Sequence, residues 1–456
     1  MRKSRLFAST LMMLVVAVAS ATTPKYVFYF IGDGMGMGHV MSAQNYNREV
    51  LKNQEPLLMM QFPVASMVTT YSASGRVTDS AAAGTALSTG YKTNNGMLGV
   101  TPDSVPVTSV ARYLKDAGWG IGVITTVAPD DATPGAFYAH QPSRSMAYEI
   151  DKEMAASGYE FIAGSKLKGT KDKNGNPTDI YSHFAQNNVA VVKGIDALKD
   201  VDSKRVVLLN KDSLDSNVGY AIDAVEGALT LPDMTKACLD HLLKHSPDQF
   251  FMMVEGGNID YAGHSNDGGA VVKEILNFNE AIKVAYDFYL AHPTETLIVV
   301  TADHNTGGLS VRFGDMSLVD SQLMSKDRFG YYTKSILNSR RIFTWEDMKA
   351  ELTARFGFWS KIAISEEQEA KLIEKFDNTF KQRNSADQET LYNSFNEFSV
   401  EVFNIINAKS GFGWIATGHT GDPVPLFAIG RGAYEFVGVH DNTDIPKKIK
   451  NIALGE

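Results

Sequence analysis

Four short segments of this chain place carboxylates and imidazoles beside glycine. Ile31-Gly-Asp33-Gly-Met-Gly-Met-Gly38 follows the apolar run Lys25–Ile31, and Glu255-Gly-Gly-Asn-Ile-Asp260-Tyr-Ala-Gly-His264 follows Phe250–Val254. Thr301-Ala-Asp303-His304 follows Leu297–Val300, and Thr417-Gly-His419-Thr-Gly stands near the C-terminal end. Sets that mix aspartate with histidine suit zinc, and sets of oxygen alone suit magnesium. One such segment is as well explained by a turn or a cap. Several together predict a site that holds more than one metal. The glycines after Ile31 do not make a dinucleotide fingerprint, because no Gly-x-Gly there is followed by glycine three residues on.

Two further segments offer what a hydrolase needs beside its metals. Val77-Thr-Asp79-Ser80 precedes the small residues Ala-Ala-Ala-Gly-Thr-Ala-Leu, which puts Ser80 at a helix N-terminus, where amide donors and the helix dipole favour an anion. Simple capping by Asp79 or Ser80 explains the same residues equally well. Asp131-Ala-Thr133-Pro opens another element, and Arg144 offers a planar fork of donors suited to a tetrahedral oxyanion. Taken locally, Arg144 also reads as half of a surface ion pair.

These segments need a scaffold, and the chain supplies one. Apolar, β-rich runs at Lys25–Ile31, Trp119–Thr126, Arg205–Leu209, Phe250–Val254 and Thr296–Thr301 alternate with helical patterns at Val107–Ala117, Ser145–Ala156, Met234–Leu243 and Val271–Ala291. That rhythm predicts an α/β fold with a largely parallel sheet, whose ligands gather where the strands end. From about residue 310 to 411 the pattern turns charged and helical, notably over Thr344–Ala354, Ser365–Gln382 and Asp387–Asn407, and reads as an insertion or lid-like subdomain. The sheet pattern resumes at Pro425. The lysines at 166, 168, 171 and 173, among Gly, Asn and Asp, read as a solvated turn.

Composition narrows the function. The chain has 456 residues with 43 basic and 52 acidic side chains, a net charge of −9 that argues against a nucleic-acid partner. Its one cysteine, Cys238, excludes an intramolecular disulfide and a thiolate metal cluster. Residues 1–21 carry a basic head, a short apolar core and Ala19-Ser20-Ala21, the pattern of a secretory signal peptide; its removal takes the net charge from −9 to −12. The apolar core is too short for a membrane anchor. The expected product is exported, periplasmic or extracellular, without a transmembrane segment.

In this combination the segments resemble the metal-dependent alkaline phosphatases. The matching stretches are Phe30-Ile-Gly-Asp-Gly-Met-Gly36, Val77-Thr-Asp-Ser-Ala-Ala-Ala-Gly-Thr-Ala86 continuing through Ser88-Thr-Gly90 and Asn95-Gly96, Asp131-Ala-Thr-Pro134 with Ala139-His140, Glu255 to Asp260 with His264, Thr301-Ala-Asp-His304, and His419-Thr-Gly421. The resemblance covers nearly all of residues 25–450 and is weakest over 310–411. It implies a three-layer α/β sandwich, a catalytic domain over residues 22–456, two zinc ions and one magnesium. One zinc would take Asp260, His264 and His419. The other would take Asp33, Asp303 and His304 and contact the nucleophile Ser80. Magnesium would take Asp33, Thr133 and Glu255, with Asp131 orienting its waters and Asp79 beside Ser80. Arg144 would bind the non-bridging oxygens of phosphate. The implied substrates are small phosphate monoesters with varied leaving groups, cleaved through a phosphoserine, with inorganic phosphate as product and inhibitor. A homodimer is implied by resemblance alone.

Some residues depart from relatives. Where some carry lysine or histidine after the aspartate of the first zinc site, this chain has Tyr261, expected to bind substrate, which can donate one neutral hydrogen bond but supplies no positive charge. Weaker retention of inorganic phosphate than in a lysine-bearing relative is therefore expected. Asp131, where many relatives have histidine, favours magnesium at the third site. The competing activities are those of a phosphodiesterase, phosphonate hydrolase or sulfatase of the same superfamily. Those classes typically lack the Glu255 and Thr133 pair, and no modified Cys or Ser motif of sulfatases is present. A non-catalytic metal- or phosphate-binding protein is the other alternative.

Overall fold

The computed structural model describes residues 23–211, 219–339 and 342–456; the signal peptide expected over residues 1–21 lies outside them. The apolar runs become neighbours in one sheet. Its strands β1 (Tyr26–Gly32), β2 (Val64–Thr69), β3 (Gly120–Thr125), β4 (Phe161–Ala163), β5 (Ala190–Lys193), β6 (Val206–Leu209), β7 (Phe250–Glu255) and β8 (Thr296–Ala302) are joined by Val424–Gly430 and Val439–Asp441. Across the sheet the order is Val439–Asp441, β2, Val424–Gly430, β8, β1, β7, β3, β4, β6, β5. Val424–Gly430 runs antiparallel to both neighbours, and every other pairing is parallel.

Every residue of β1, β3, β7 and β8 is buried, as expected of strands covered on both faces. Helices Leu231–His245 and Gly268–Ala291 pack on this middle and on each other. The short strands β2, β4 and β5 and the edge strand Val439–Asp441 are absent from the sequence expectations, because three to six residues, some of them exposed, carry little periodic signal.

The register matters most for function. Ile31 pairs with Glu255 on one side and Thr301 on the other, and Thr125 pairs with Glu255. The carboxyl ends of β8, β1, β7 and β3 are therefore level, and the segments that leave them start from one edge. Because Val424–Gly430 is antiparallel, its beginning lies at that same edge, just after His419.

Residues 324–406 bury a second apolar core of their own, around Phe329, Phe356, Phe376, Phe398 and Phe403. The helices expected at 344 and 365 run over Trp345–Phe356 and Glu366–Phe376, each opened by a reciprocal capping box. The latter continues as a wide turn over Asp377–Gln382, and a further helix spans Lys326–Asn338. The helix expected over Asp387–Asn407 begins only at Glu397, where the Asn396 side chain accepts from the Ser399 amide at 2.8 Å. Before it, Gln388–Glu389 and Ser394–Phe395 pair as a short hairpin.

Candidate active site

Asp260 and His264 lie four residues apart on the buried helix Asn258–His264 that follows β7, so both face one way. His264 Nδ1 stands 2.5 Å from the Thr417 carbonyl oxygen, and His419 Nδ1 2.8 Å from that of Thr78. A carbonyl only accepts, so each neutral ring keeps its proton on Nδ1 and presents a bare Nε2. The two Nε2 atoms are 3.0 Å apart, and 3.4 Å and 3.6 Å from Asp260 Oδ1. Three acceptors meeting in a buried space repel one another unless a cation lies among them.

His304 repeats the arrangement. Its Nδ1 is 3.2 Å from Thr306 Oγ1, whose hydroxyl donates to Asp260 Oδ1 at 2.5 Å, so the ring donates to Thr306 and again leaves Nε2 bare. That nitrogen lies 3.2 Å from Asp303 Oδ2, 3.4 Å from Asp33 Oδ1 and 3.2 Å from Ser80 Oγ. Burial, reinforced by His419 and His264, holds the His304 imidazole well below its usual range and therefore neutral. Asp33 Oδ1 and Asp303 Oδ2 are buried without a hydrogen-bond partner. The other oxygen of Asp303 accepts the Gly34 and His304 amides at 3.0 Å and 2.8 Å, fixing its orientation. Burial pushes Asp303 up to about 7, and burial with the charges of Asp303, Asp260 and Glu255 raises Asp33 well above the carboxylate range. Gly34 has φ +71°, and a Cβ there would stand 2.7 Å from Thr306 Oγ1 and 2.9 Å from Asp260 Cα, so the turn that carries Asp33 admits only glycine.

Ser80 is the first residue of the helix Ser80–Thr89, all ten residues of which are buried. Asp79 caps this helix, its side chain accepting from the Ala82 amide at 2.9 Å, a contact worth about 1 kcal/mol. Its other oxygen accepts the Gly96 amide at 3.0 Å. Glu255 ends β7, pushed up to about 8 by burial, with the Thr125 hydroxyl pulling the other way. Glu255 Oε2 and Thr133 Oγ1 are also buried and unpartnered. Arg144 is not a surface ion pair. Its Nη1 lies 3.4 Å from Asp79 and its Nη2 3.0 Å from Asp131, so it bridges the caps of the two helices that carry Ser80 and Thr133.

The structure thus brings together all the residues singled out in the sequence. It also adds two that were not. Lys168, read as part of a solvated turn, is exposed as that reading expects and also places its ammonium 2.5 Å from Asp131 Oδ2. Burial alone would raise Asp131, but Lys168 and then Arg144 outweigh it and hold the carboxyl below its usual range. Tyr392, at the tip of the 388–395 hairpin, donates to Asp260 Oδ2 at 3.2 Å. Its ring stacks on Tyr261 at 3.8 Å between centroids and meets the edge of His264 at 5.2 Å. Tyr261 turns its own hydroxyl to Asp131 Oδ2, at 3.2 Å. The turn residue Asn393 and the cap Asn396 were signals for the hairpin; nothing local marks Lys168.

Comparison with known proteins agrees with the geometry. The sequence model of the alkaline phosphatase family matches residues 24–174 and 160–454. Alkaline phosphatase 3 of Bacillus subtilis is 31% identical over 448 residues, covering 93% of this chain and 88% of its own length. The repressible alkaline phosphatase of Saccharomyces cerevisiae is 27% identical, covering 94% and 81% respectively. The crystal structure of a cold-active alkaline phosphatase from a psychrophilic Shewanella superposes with a TM-score of 0.78 at 28% identity, over 94% of this chain and 99% of that one.

Proposed function

We propose that this chain, which belongs to the alkaline phosphatase family, hydrolyses small phosphate monoesters through a phosphoserine on Ser80 at a site of two zinc ions and one magnesium. The observation that carries this reading is the set of bare acceptors around Ser80. Nε2 of three histidines converges with Asp33 Oδ1 and Asp303 Oδ2, both without a hydrogen-bond partner, and Glu255 Oε2 and Thr133 Oγ1 are equally unpartnered. The nitrogen-bearing sets fit zinc: Asp260, His264 and His419 for one ion, and Asp33, Asp303 and His304 for the other. The oxygen set of Asp33, Thr133 and Glu255 fits magnesium. When bound, these ions supply the positive charge that makes a serine alkoxide, a leaving alkoxide and a hydroxide accessible near neutral pH.

The chain's own residues do the rest. The Ser80 Oγ–phosphorus bond forms as the phosphorus–oxygen ester bond breaks, and the alcohol leaves with a proton. Water then splits the phosphoserine, returning the hydroxyl to Ser80 and releasing inorganic phosphate, which competes with substrate for the same site. Arg144, braced by Asp79 and Asp131, and the amides at the start of the Ser80 helix hold the non-bridging oxygens. Because these contacts grip the phosphoryl group, the leaving group can vary widely. The unpartnered oxygens of Glu255 and Thr133 favour a monoesterase over the diesterase, phosphonate and sulfatase alternatives. Export rests on residues 1–21 and a homodimer on family membership; no helix among the described residues is long and apolar enough to cross a membrane.

Ser80→Ala tests the reading. Hydrolysis of a monoester should fall by about three orders of magnitude or more, and acid-quenched wild-type protein should carry phosphate on Ser80 by mass spectrometry. Hydrolysis at the wild-type rate by the variant, or faster turnover of a diester or sulfate ester by the wild type, would overturn it.

A further inference from the structure

Six acidic side chains surround the serine: Asp33, Asp79, Asp131, Glu255, Asp260 and Asp303. Against them, Arg144 and Lys168 are the cations that pair with this set among the described residues. Arg144 holds Asp131 Oδ1 at 3.0 Å, and Lys168 holds Asp131 Oδ2 at 2.5 Å. Asp131 thus carries two cations, and with Asp79 3.4 Å from Arg144 the two carboxylates and two cations balance; without Lys168 one carboxylate in this group would be in excess beside the phosphate-binding arginine. Tyr261, which donates to the same Oδ2 at 3.2 Å, adds no charge.

Lys168 is not a lysine that happens to swing past. Its own amide and that of Gly169 donate to Asp130 Oδ2 at 2.7 Å and 3.0 Å, and Asp130 is the buried neighbour of Asp131 in sequence. Residue 168 is therefore clamped at its backbone by Asp130 and at its ammonium by Asp131. The clamp needs a close approach: a Cβ on Gly169 would meet Asp151 Oδ2 at 2.2 Å and the Tyr148 backbone at 2.8 Å. Meanwhile the lysine side chain keeps 48% of its surface, so the ammonium retains hydrogens for a ligand that arrives from solvent.

We infer that Lys168 is a positioning residue of the phosphate site, supplying from a loop the charge that position 261 lacks and sharing Asp131 with Arg144, so that the carboxylate braces the guanidinium without neutralising it. The inference rests on the phosphatase reading above. Without Lys168, Asp131 has Arg144 as its one cation, and the full charge of the carboxylate falls on the guanidinium. Phosphate should then bind more weakly while the metals and the fold persist.

The test is calorimetric titration of the metal-loaded protein with inorganic phosphate, alongside steady-state kinetics. Lys168→Ala and Lys168→Gln should raise the phosphate Kd about tenfold, a change of about 1.4 kcal/mol. KM and the phosphate inhibition constant should rise together, with kcat reduced less. Lys168→Arg should recover most of the affinity, because a guanidinium satisfies the same carboxylate. The exposed loop lysines Lys171→Ala and Lys173→Ala should leave the Kd unchanged. A Kd within twofold of wild type in both Lys168→Ala and Lys168→Gln overturns the role of Lys168 and leaves the phosphatase reading standing. An equal loss in the Lys171 and Lys173 variants also overturns it, since a diffuse field would then explain the effect. No phosphate binding by the loaded wild-type protein overturns both.

Discussion

The site is assembled from two kinds of segment. Asp33, Glu255, Asp303 and His304 sit on or just beyond the carboxyl ends of adjacent strands, where register alone levels them. Lys168 and Tyr392 arrive from outside the sheet edge, one on a loop after β4 and the other on a hairpin tip packed against the second core. The first group is positioned by the backbone that carries it, and its burial leaves oxygens without a hydrogen-bond partner. The second group is positioned by tertiary contact, keeps hydrogen-bond partners within the protein, and acts on the first through Asp131 and Asp260. The strand-end residues should therefore decide whether the site exists, and the reaching residues how tightly it holds what it binds.

The sharpest way to break that division is Asp33→Ala. Asp33 lies against His304 and Asp303 and feels the charge of Glu255, so on the proposed reading it would join both the second zinc set and the magnesium set. Its loss should cost more than one metal per chain by mass spectrometry, and activity on the order of 10³-fold. Asp260→Ala should cost one. Loss of a single ion in both variants would show that Asp33 does not join the two sets.

Removing the metals should turn the strand-end carboxylates against the fold in a pH-dependent way. In the chelated protein Asp303 and Glu255 titrate at about 7 and about 8, against about 4 when unfolded. Between those values the folded state binds more protons than the unfolded one, so stability is full near pH 4, declines as pH rises, and levels off above about pH 8. Thermal melting of chelated protein should drop on the order of 5 °C between pH 5 and pH 8 relative to metal-loaded protein. Parallel curves for the two forms would mean that these carboxyls are not carried buried and protonated.

The same contrast explains what was legible in the sequence. The central strands and their ligands could be read because a buried parallel strand is a continuous apolar run, and the residue after it is placed by covalent connection. Arg144 was chemically legible, yet its bridging of two helix caps depends on a fold in which residues 79 and 131 meet. The turn around Lys168 is solvated as read, but its contact with Asp131 was not legible, because nothing near it in sequence announces that partner. Tyr392 was lost for a different reason. Glu397–Ser410 is a strongly apolar helix, and extending its period backwards to residue 387 swallowed the hairpin. The Thr390–Asn393 turn, in which the Thr390 amide donates to the Asn393 carbonyl at 2.8 Å, competes locally with helix and wins.

Tyr392 gives the smallest effect and the finest test of the division. Asp260 offers Oδ1 to the histidine side of the site and Oδ2 to the Tyr392 hydroxyl, so the tyrosine orients a proposed metal ligand through the oxygen that faces away from the histidines. Partners of this kind typically contribute about 10- to 100-fold in metal affinity. Tyr392→Phe removes the hydrogen bond and keeps the stack on Tyr261 and the edge contact with His264. It should raise the zinc dissociation rate about tenfold, measured with a chromogenic chelator, and leave phosphate affinity within twofold in the loaded protein. Tyr392→Ala removes the ring as well. If it releases zinc no faster than Tyr392→Phe, the hydroxyl carries the effect; if it releases zinc much faster, the aromatic wall does. Unchanged release in both variants would leave the hairpin as packing, and the reaching group of residues would shrink to Lys168.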